Sequence, residues 1–204
     1  MVEKMFFACG QLELEGVLYI PPQQGPWPGV VICHPHPLYG GDMHNNVVMT
    51  ICEALVKESI ASLRFNFRGV GRSEGTFADG IGEQEDVLAA LAFLSSRADG
   101  QRLGLVGYSF GADVAASAAP RSPAKALACV SPPGRLDGLR GFAGPKLFIA
   151  GAEDSLVSAS LLEQSARELP SPSEVEIIPG ADHFWWGYES ALARKIAQFL
   201  AGNL

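Results

Sequence analysis

The sequence lacks the long apolar runs and the excess of basic charge that mark membrane and nucleic-acid-binding proteins. No window approaches the roughly 18 apolar residues of a membrane span, and the apolar stretch near the N-terminus stops at Gly10, too early for a secretion signal. With 15 Lys and Arg against 22 Asp and Glu, the net charge is −7, which disfavours phosphate backbones. We therefore expect a cytoplasmic protein that binds neither nucleic acid nor membrane.

The sequence also lacks the cysteine pairs of disulfide scaffolds and redox motifs. Four cysteines are widely spaced, and no two form a CxxC. A chain of 204 residues that is 48% hydrophobic buries a core without crosslinks. We expect one domain over residues 1–204, in a reducing compartment, with four buried free thiols: Cys9, Cys33, Cys52 and Cys129.

The order of predicted elements indicates an α/β fold. Two β-rich segments, 4–9 and 12–20, flank Gly10 and predict an antiparallel hairpin. Short apolar runs then alternate with helical spacing, which predicts a mostly parallel sheet covered by helices on both faces. The predicted strands are 29–33, 61–67, 103–106, 126–131, 146–151 and 175–179, and the predicted helices are 45–59, 82–97, one starting near 109, 158–169 and 188–200. The connection 132–145 holds a short helix at most, so we expect no separate lid domain.

A candidate nucleophile follows the predicted strand 103–106. Residues 107–111 read Gly-Tyr-Ser-Phe-Gly and match the GxSxG elbow in its strand, turn and helix context. Glycine is needed on either side because the sharp reversal leaves no space for side chains. A glycine-rich helix cap is the alternative for a bare match. The position after a buried strand favours Ser109 as a nucleophile at a helix N-terminus.

A serine nucleophile requires a base and a carboxylate that orients the base. Asp154 follows one later strand and His183 follows the next, in the chain order Ser, Asp, His. Each residue alone could be an ordinary loop residue. Three other carboxylates rank below Asp154 as the acid: Glu153, Asp182 and Asp137.

From its hairpin to its last helix, the chain resembles the α/β-hydrolase superfamily. Segments 33–41 (CHPHPLYGG) and 65–73 (FNFRGVGRS), with Met43 and Asn46, look like a small bacterial branch near the dienelactone-hydrolase family. The resemblance implies a three-layer, lidless fold and esterase-like chemistry. Dienelactone hydrolases carry a cysteine nucleophile where this chain has Ser109, so their particular activity is not implied.

Acyl transfer also requires two backbone N–H groups that bind the developing oxyanion. Phe110, directly after the candidate nucleophile, is expected to supply one. Pro35 and Pro37 have no N–H, so the second donor comes from another position of that loop. Resemblance to hydrolase loops that begin with His-Gly implies the N–H of His36.

Other residues near these segments admit two interpretations. Tyr39 and Trp185 are candidate substrate-binding residues, although Trp185 and its aromatic neighbours Phe184 and Trp186 could instead pack the loop onto the sheet. The loop after residue 33 contains zinc-ligand types, but their spacing matches no zinc motif. We expect no metal and no cofactor, and predict that His34 is a structural hydrogen-bonding residue. The loop residues concerned are Cys33, His34, His36, Asp42 and His44.

The glycine-rich segment 69–75 does not make a nucleotide site, because Glu74 breaks the GxGxxG pattern. Arg68 and Arg72 in this region either hold the turn, steer an anionic substrate, or form a solvated surface pair.

Together these features predict a serine hydrolase that cleaves a carboxylic ester or related small acyl compound through an acyl-enzyme on Ser109. The same three residues would serve a thioesterase, peptidase or acyltransferase, and a non-catalytic binding module with this fold is a further alternative. Without a lid, the site is expected to be open and shallow.

Overall fold

The structure, a computed structural model, describes residues 1–134, 136–169 and 172–204. Within these ranges one sheet contains eight strands: β1 (Val2–Cys9), β2 (Leu12–Tyr19), β3 (Gly29–Cys33), β4 (Ala61–Phe65), β5 (Leu103–Tyr108), β6 (Ala126–Val130), β7 (Lys146–Gly151) and β8 (Ser173–Ile178). The α-helices are α1 (Asn46–Lys57), α2 (Gly82–Ser95), α3 (Phe110–Ala118), α4 (Ala159–Arg167) and α5 (Glu189–Asn203). No helix in the described ranges has the length and apolar character needed to cross a membrane.

The strand order is β1-β2-β4-β3-β5-β6-β7-β8. Strands β1 and β2 pair antiparallel around Gly10, whose φ of +62° suits glycine. Strand β2 also pairs antiparallel with β4, and every pair from there to β8 is parallel. The mostly parallel sheet with an antiparallel N-terminal hairpin is confirmed. All carboxyl ends of the parallel strands therefore lie at one edge, where α/β folds carry their sites.

Helices cover both faces of the sheet, as the strand compositions predict. Every residue of β3, β4, β5, β6 and β7 is buried, which requires apolar cover on each side. One core contains buried side chains of α1 and α5, and the other contains those of α2, α3 and α4. The four cysteines are buried and form no disulfide bonds, as predicted.

Residues 131–134 and 136–145, the described part of the connection from β6 to β7, contain one 3-10 helix of six residues, Leu136–Gly141. The described part of this connection has no lid domain.

Candidate active site

Ser109 lies on a strained turn between β5 and α3. Its φ of 55° is in the left-handed region that L-residues rarely adopt. A Cβ atom on Gly107 would lie 2.2 Å from the Gly111 carbonyl oxygen, and one on Gly111 would lie 2.4 Å from the His34 carbonyl oxygen. Both positions therefore require glycine, for the steric reason that the motif predicts. The turn presents Ser109 at the N-terminus of α3.

The structure brings the three predicted side chains into a hydrogen-bonded row. The Ser109 Oγ lies 3.0 Å from Nε2 of His183, and Nδ1 of His183 lies 2.9 and 3.1 Å from the carboxylate oxygens of Asp154. The side chains of Asp154 and His183 are 0% and 7% exposed. A buried carboxylate at this distance holds the proton on Nδ1, which leaves the Nε2 lone pair facing Ser109.

Asp154 is surrounded by donors that favour its charged form. The Leu156 and Val157 N–H groups donate to it at 2.9 and 3.0 Å. Burial alone would raise the pKa of Asp154, but hydrogen bonds from His183, Leu156 and the Ser131 hydroxyl outweigh it and hold that pKa below its ordinary value. The carboxylate is therefore ionised across the neutral range.

The competing carboxylates lie elsewhere. Glu153 is exposed. Asp182 accepts the Phe184 and Trp185 N–H groups at 2.9 and 3.0 Å and so caps its own loop. Asp137 is exposed on the 3-10 helix after β6. Among the carboxylates of the described residues, Asp154 is the one hydrogen-bonded to the imidazole.

Two residues that sequence reasoning missed support this row. The Tyr108 hydroxyl donates to the His183 carbonyl oxygen at 2.7 Å, and Ser131 accepts from Nε1 of Trp185 at 3.1 Å. Ser131 directly follows β6, so the rule that polar residues after buried strands mark a site could have found it. Tyr108 gave no such signal, because an aromatic residue at the end of a buried strand reads as core.

The assignment of Trp185 to the substrate pocket is wrong. Its side chain is 0% exposed and packs in the core shared with α5. Its backbone has a positive φ of 63°. The alternative, packing of the loop onto the sheet, holds for this residue. Its neighbours Phe184 and Trp186 are 57% and 70% exposed, and Tyr39 is 87% exposed.

The loop after β3 is fixed by His34. Nδ1 of His34 lies 2.7 Å from the Pro35 carbonyl oxygen, and Nε2 accepts the Phe67 N–H at 3.1 Å. Because a carbonyl can only accept, Nδ1 carries the proton and the ring is neutral. Burial lowers the pKa of His34 to about 4, against the opposing effect of the Pro35 hydrogen bond. The predicted structural role of His34 is confirmed.

The two residues expected to supply oxyanion donors are neighbours in space. The His36 and Phe110 rings lie 4.8 Å apart, and the His36 carbonyl oxygen accepts the Gly41 N–H at 3.0 Å. A Cβ on Gly41 would lie 2.1 Å from the Pro35 carbonyl oxygen, so the loop folds tightly here. The rings of Tyr39 and Phe77 also pack on His36, at 4.8 and 5.2 Å.

The histidines considered as zinc ligands in this loop make other contacts. His36 accepts the Leu38 N–H at 3.2 Å through Nδ1, and Nδ1 of His44 lies 3.2 Å from Nη1 of Arg64. In the described part of the chain, no three His, Cys, Asp or Glu side chains gather as a metal site would require.

The two arginines of the glycine-rich segment have different surroundings. Arg68 makes an ion pair with the buried Asp86, at 2.7 Å from Nη2 and 3.0 Å from Nε. This places Arg68 in the turn-holding role. The guanidinium of Arg72 lies 4.7 Å from the centre of the Phe6 ring.

The parallel sheet, the strained serine turn and the polar residues at later strand ends define an α/β hydrolase of the serine type. The model of the serine aminopeptidase S33 family matches residues 28–141, more than half of the 204 residues, and the chain belongs to this family. The match includes Ser109 but ends before Asp154 and His183.

Curated relatives share much of the chain. An uncharacterized protein of Rickettsia prowazekii is 34% identical over 186 residues, which cover 85% of this chain and 78% of the relative. The esterase EstD of Thermotoga maritima is 29% identical over 127 residues, 60% of this chain and 31% of that enzyme.

Solved structures confirm the predicted superfamily and its lidless form. An α/β serine hydrolase homologue from Coxiella burnetii has a TM-score of 0.89 and 33% identity, covering 97% of both chains. A serine hydrolase without lid from Xanthomonas campestris has a TM-score of 0.88 and 28% identity, covering 98% of this chain and 94% of the other. A dienelactone hydrolase from Anabaena variabilis, at 22% identity, shares the fold with a TM-score of 0.84 over 100% of this chain and 98% of its own.

Proposed function

We propose that this protein hydrolyses small carboxylic esters through an acyl-enzyme on Ser109. The Ser109 Oγ attacks the ester carbon while its proton moves to Nε2 of His183. The tetrahedral adduct then collapses, and the departing alkoxide takes that proton from His183. Water attacks the acyl carbon next and gives a proton to His183, which returns it to Ser109 as the acid leaves.

The observation that carries this proposal is the continuous row from Ser109 through His183 to Asp154, with contacts of 3.0 and 2.9 Å. Asp154 fixes the Nδ1–H tautomer and stabilises the imidazolium that forms at each proton transfer. A serine in a strained, left-handed backbone conformation is costly, and such strain is concentrated at functional sites.

The negative charge of the tetrahedral adduct needs donors beside Ser109. The backbone N–H groups of Phe110 and His36 are the proposed donors, aided by the positive end of the α3 dipole. Packing of the His36 ring on the Phe110 ring supports this pairing, because it holds the two backbones on the same side of the nucleophile.

The class of substrate is supported by the site and by its relatives. None of the described side chains of Ser109, His183 and Asp154 requires a cofactor for these steps. Tyr39 is exposed beside His36 and is available to contact a small acyl compound. The similarity to the esterase of Thermotoga maritima supports oxygen esters as the first substrates to test. Thioesters and amides would enter the same steps, so they belong in the substrate panel.

The test needs no guess of the natural substrate. The protein is treated with a fluorophosphonate, and its intact mass is measured for wild type, Ser109→Ala and Ser117→Ala. Ser117 is the matched control, since it lies on the same helix α3 with its hydroxyl bonded to the Asp113 carbonyl oxygen at 2.8 Å.

We expect one adduct on wild type and on Ser117→Ala, and none on Ser109→Ala. The labelling-competent proteins are then assayed against acetate esters, a thioester and an anilide. Folded wild-type protein that takes no adduct and cleaves none of these compounds would overturn the proposal.

A further inference from the structure

A cleft of about 540 Å³ opens between the segment after β6 and helix α4. Its volume is within the roughly 300–1,000 Å³ of small-molecule sites. Six aliphatic side chains line it, and no aromatic ring occurs among its described lining residues. We call it the leucine-lined cleft, after Leu136, Leu156, Val157, Leu161, Leu162 and Leu169.

Two hydrogen bonds tie one wall of the leucine-lined cleft to Asp154, and a third ties the opposite wall to helix α3. Leu156 and Val157 donate their N–H groups to the carboxylate of Asp154 at 2.9 and 3.0 Å. Gly134, on the opposite wall, donates its N–H at 3.1 Å to Asp113, which is one turn beyond Ser109 on α3. The cleft therefore adjoins the same edge of the sheet as Ser109.

The chemistry of the cleft selects among acyl groups. Leu136, Val157 and Leu162 are buried at 3%, 6% and 5% exposure and form an apolar floor, while Leu156 and Leu161 are 61% and 64% exposed at the sides. Two carboxylates and one guanidinium lie at the exposed rim, in Asp137, Glu168 and Arg140. Among the described lining residues, positive charge does not exceed negative charge.

We propose that the leucine-lined cleft binds the unbranched aliphatic acyl chain of the ester that Ser109 attacks. The assignment rests on the proposed function. It narrows the substrate to esters whose acyl chain is of medium length and carries no charged group. Tyr39, whose ring packs on His36, lies on the loop after β3. In the strand order β3 is on the opposite side of β5 from β6 and β7, which leaves that side to the alcohol part of the substrate.

The test compares kcat/KM for nitrophenyl acetate, butyrate and octanoate. Since one methylene in an apolar pocket changes kcat/KM by about tenfold or more, we expect wild type to prefer octanoate over acetate by at least about tenfold. Ser165 lines the cleft from α4, so Ser165→Phe fills it. We expect this variant to lose most of the preference, measured as its own ratio of octanoate to acetate.

Ser160→Phe is the matched control, since Ser160 is on the same helix, is exposed, and does not line the cleft. It should keep the wild-type ratio. Gln164→Phe fills the cleft from an exposed position and replaces Ser165→Phe if that variant does not fold. A second measurement uses wild type alone: an octyl fluorophosphonate should label it faster than an ethyl one.

The outcomes separate the two proposals. Acetate hydrolysis with a flat chain-length profile, or a preference that both filling variants retain, would overturn the cleft assignment and leave the serine hydrolase standing. Wild type that neither hydrolyses acetate nor takes a fluorophosphonate would overturn both.

Discussion

His34 holds the carbonyl end of the peptide bond whose N–H belongs to His36. Its Nδ1–H donates to the Pro35 carbonyl oxygen at 2.7 Å. The peptide bond between Pro35 and His36 is trans, since among the described residues the only cis peptide bond is Gly25-Pro26. In a trans peptide the C=O and N–H groups point in opposite directions. The His36 N–H therefore points away from the His34 ring, and the ring determines its direction.

We expect His34→Ala to lower kcat by about tenfold to a hundredfold with little change in KM. Loss of an oxyanion donor costs about 10²–10³ in kcat, and here the donor would be misdirected, not removed. Affinity for a boronic acid, which mimics the tetrahedral adduct, should fall in parallel with kcat. The assay uses protein whose folding is verified by circular dichroism.

Two variants separate positioning from general destabilisation. His34→Gln keeps a donor and an acceptor and should recover part of the lost kcat. His44→Ala removes an exposed ring that contacts Arg64 instead, and it should behave as wild type. Loss of folded protein with unchanged kcat and boronate affinity would contradict the positioning role.

Asp154→Asn should lower kcat by on the order of 10³-fold or more. An amide cannot hold the Nδ1–H tautomer or stabilise the imidazolium, which is the basis of the comparable loss in serine proteases. Glu153→Gln is the matched control, because it removes an exposed carboxylate one residue away and should stay within about twofold of wild type. Equal losses in the two variants, measured with the same acetate ester, would refute the assignment of the acid.

Asp113→Asn should stabilise the protein at alkaline pH. Burial raises the pKa of Asp113 from 3.8 to about 6, against the opposing Gly134 hydrogen bond. Because the folded pKa lies above the unfolded one, the wild type loses stability as pH rises through about 6. The amide oxygen keeps the Gly134 contact. Allowing for partial exposure, we expect a gain of about 1–2 kcal/mol at about pH 8.

The measurement is urea unfolding at several pH values. The gain should shrink below about pH 6 and vanish below about pH 4, where Asp113 is protonated in both states. Asp99→Asn is the control, because hydrogen bonds from Arg102 and Gln101 lower the pKa of Asp99 and its loss gives no gain at higher pH. A gain for Asp113→Asn that is independent of pH would argue against ionisation as its cause.

The sequence predicts most of the fold because buried parallel strands are short apolar runs bounded by polar loops. The predicted strands 29–33 and 146–151 agree with β3 and β7. The predicted strand 61–67 is too long, since the sheet ends at Phe65 and the Phe67 N–H donates to the His34 ring. Apolar composition could not distinguish pairing to a strand from pairing to a side chain.

The candidate site was likewise predicted only in part from the sequence. Ser109, Asp154 and His183 could be predicted because a parallel sheet places its strand ends at one edge. The assignment of Trp185 to the pocket was wrong because three consecutive aromatic residues do not reveal which one is buried. The position of Ser131 directly after β6 could be predicted, but its hydrogen bond from Trp185 could not, because the two residues are 54 positions apart.

The order of strands places His183 beside the edge of the sheet. His183 follows β8, the outermost strand on its side of the sheet, and β8 is only partly buried. An edge strand with one neighbour frays more easily than central strands do. Tyr108 and the buried Trp185 anchor the loop after β8 against this fraying. Fraying there would move His183 away from Ser109 and abolish activity while β3 to β7 stay intact. Loss of activity would therefore detect local unfolding of β8 before the whole domain unfolds.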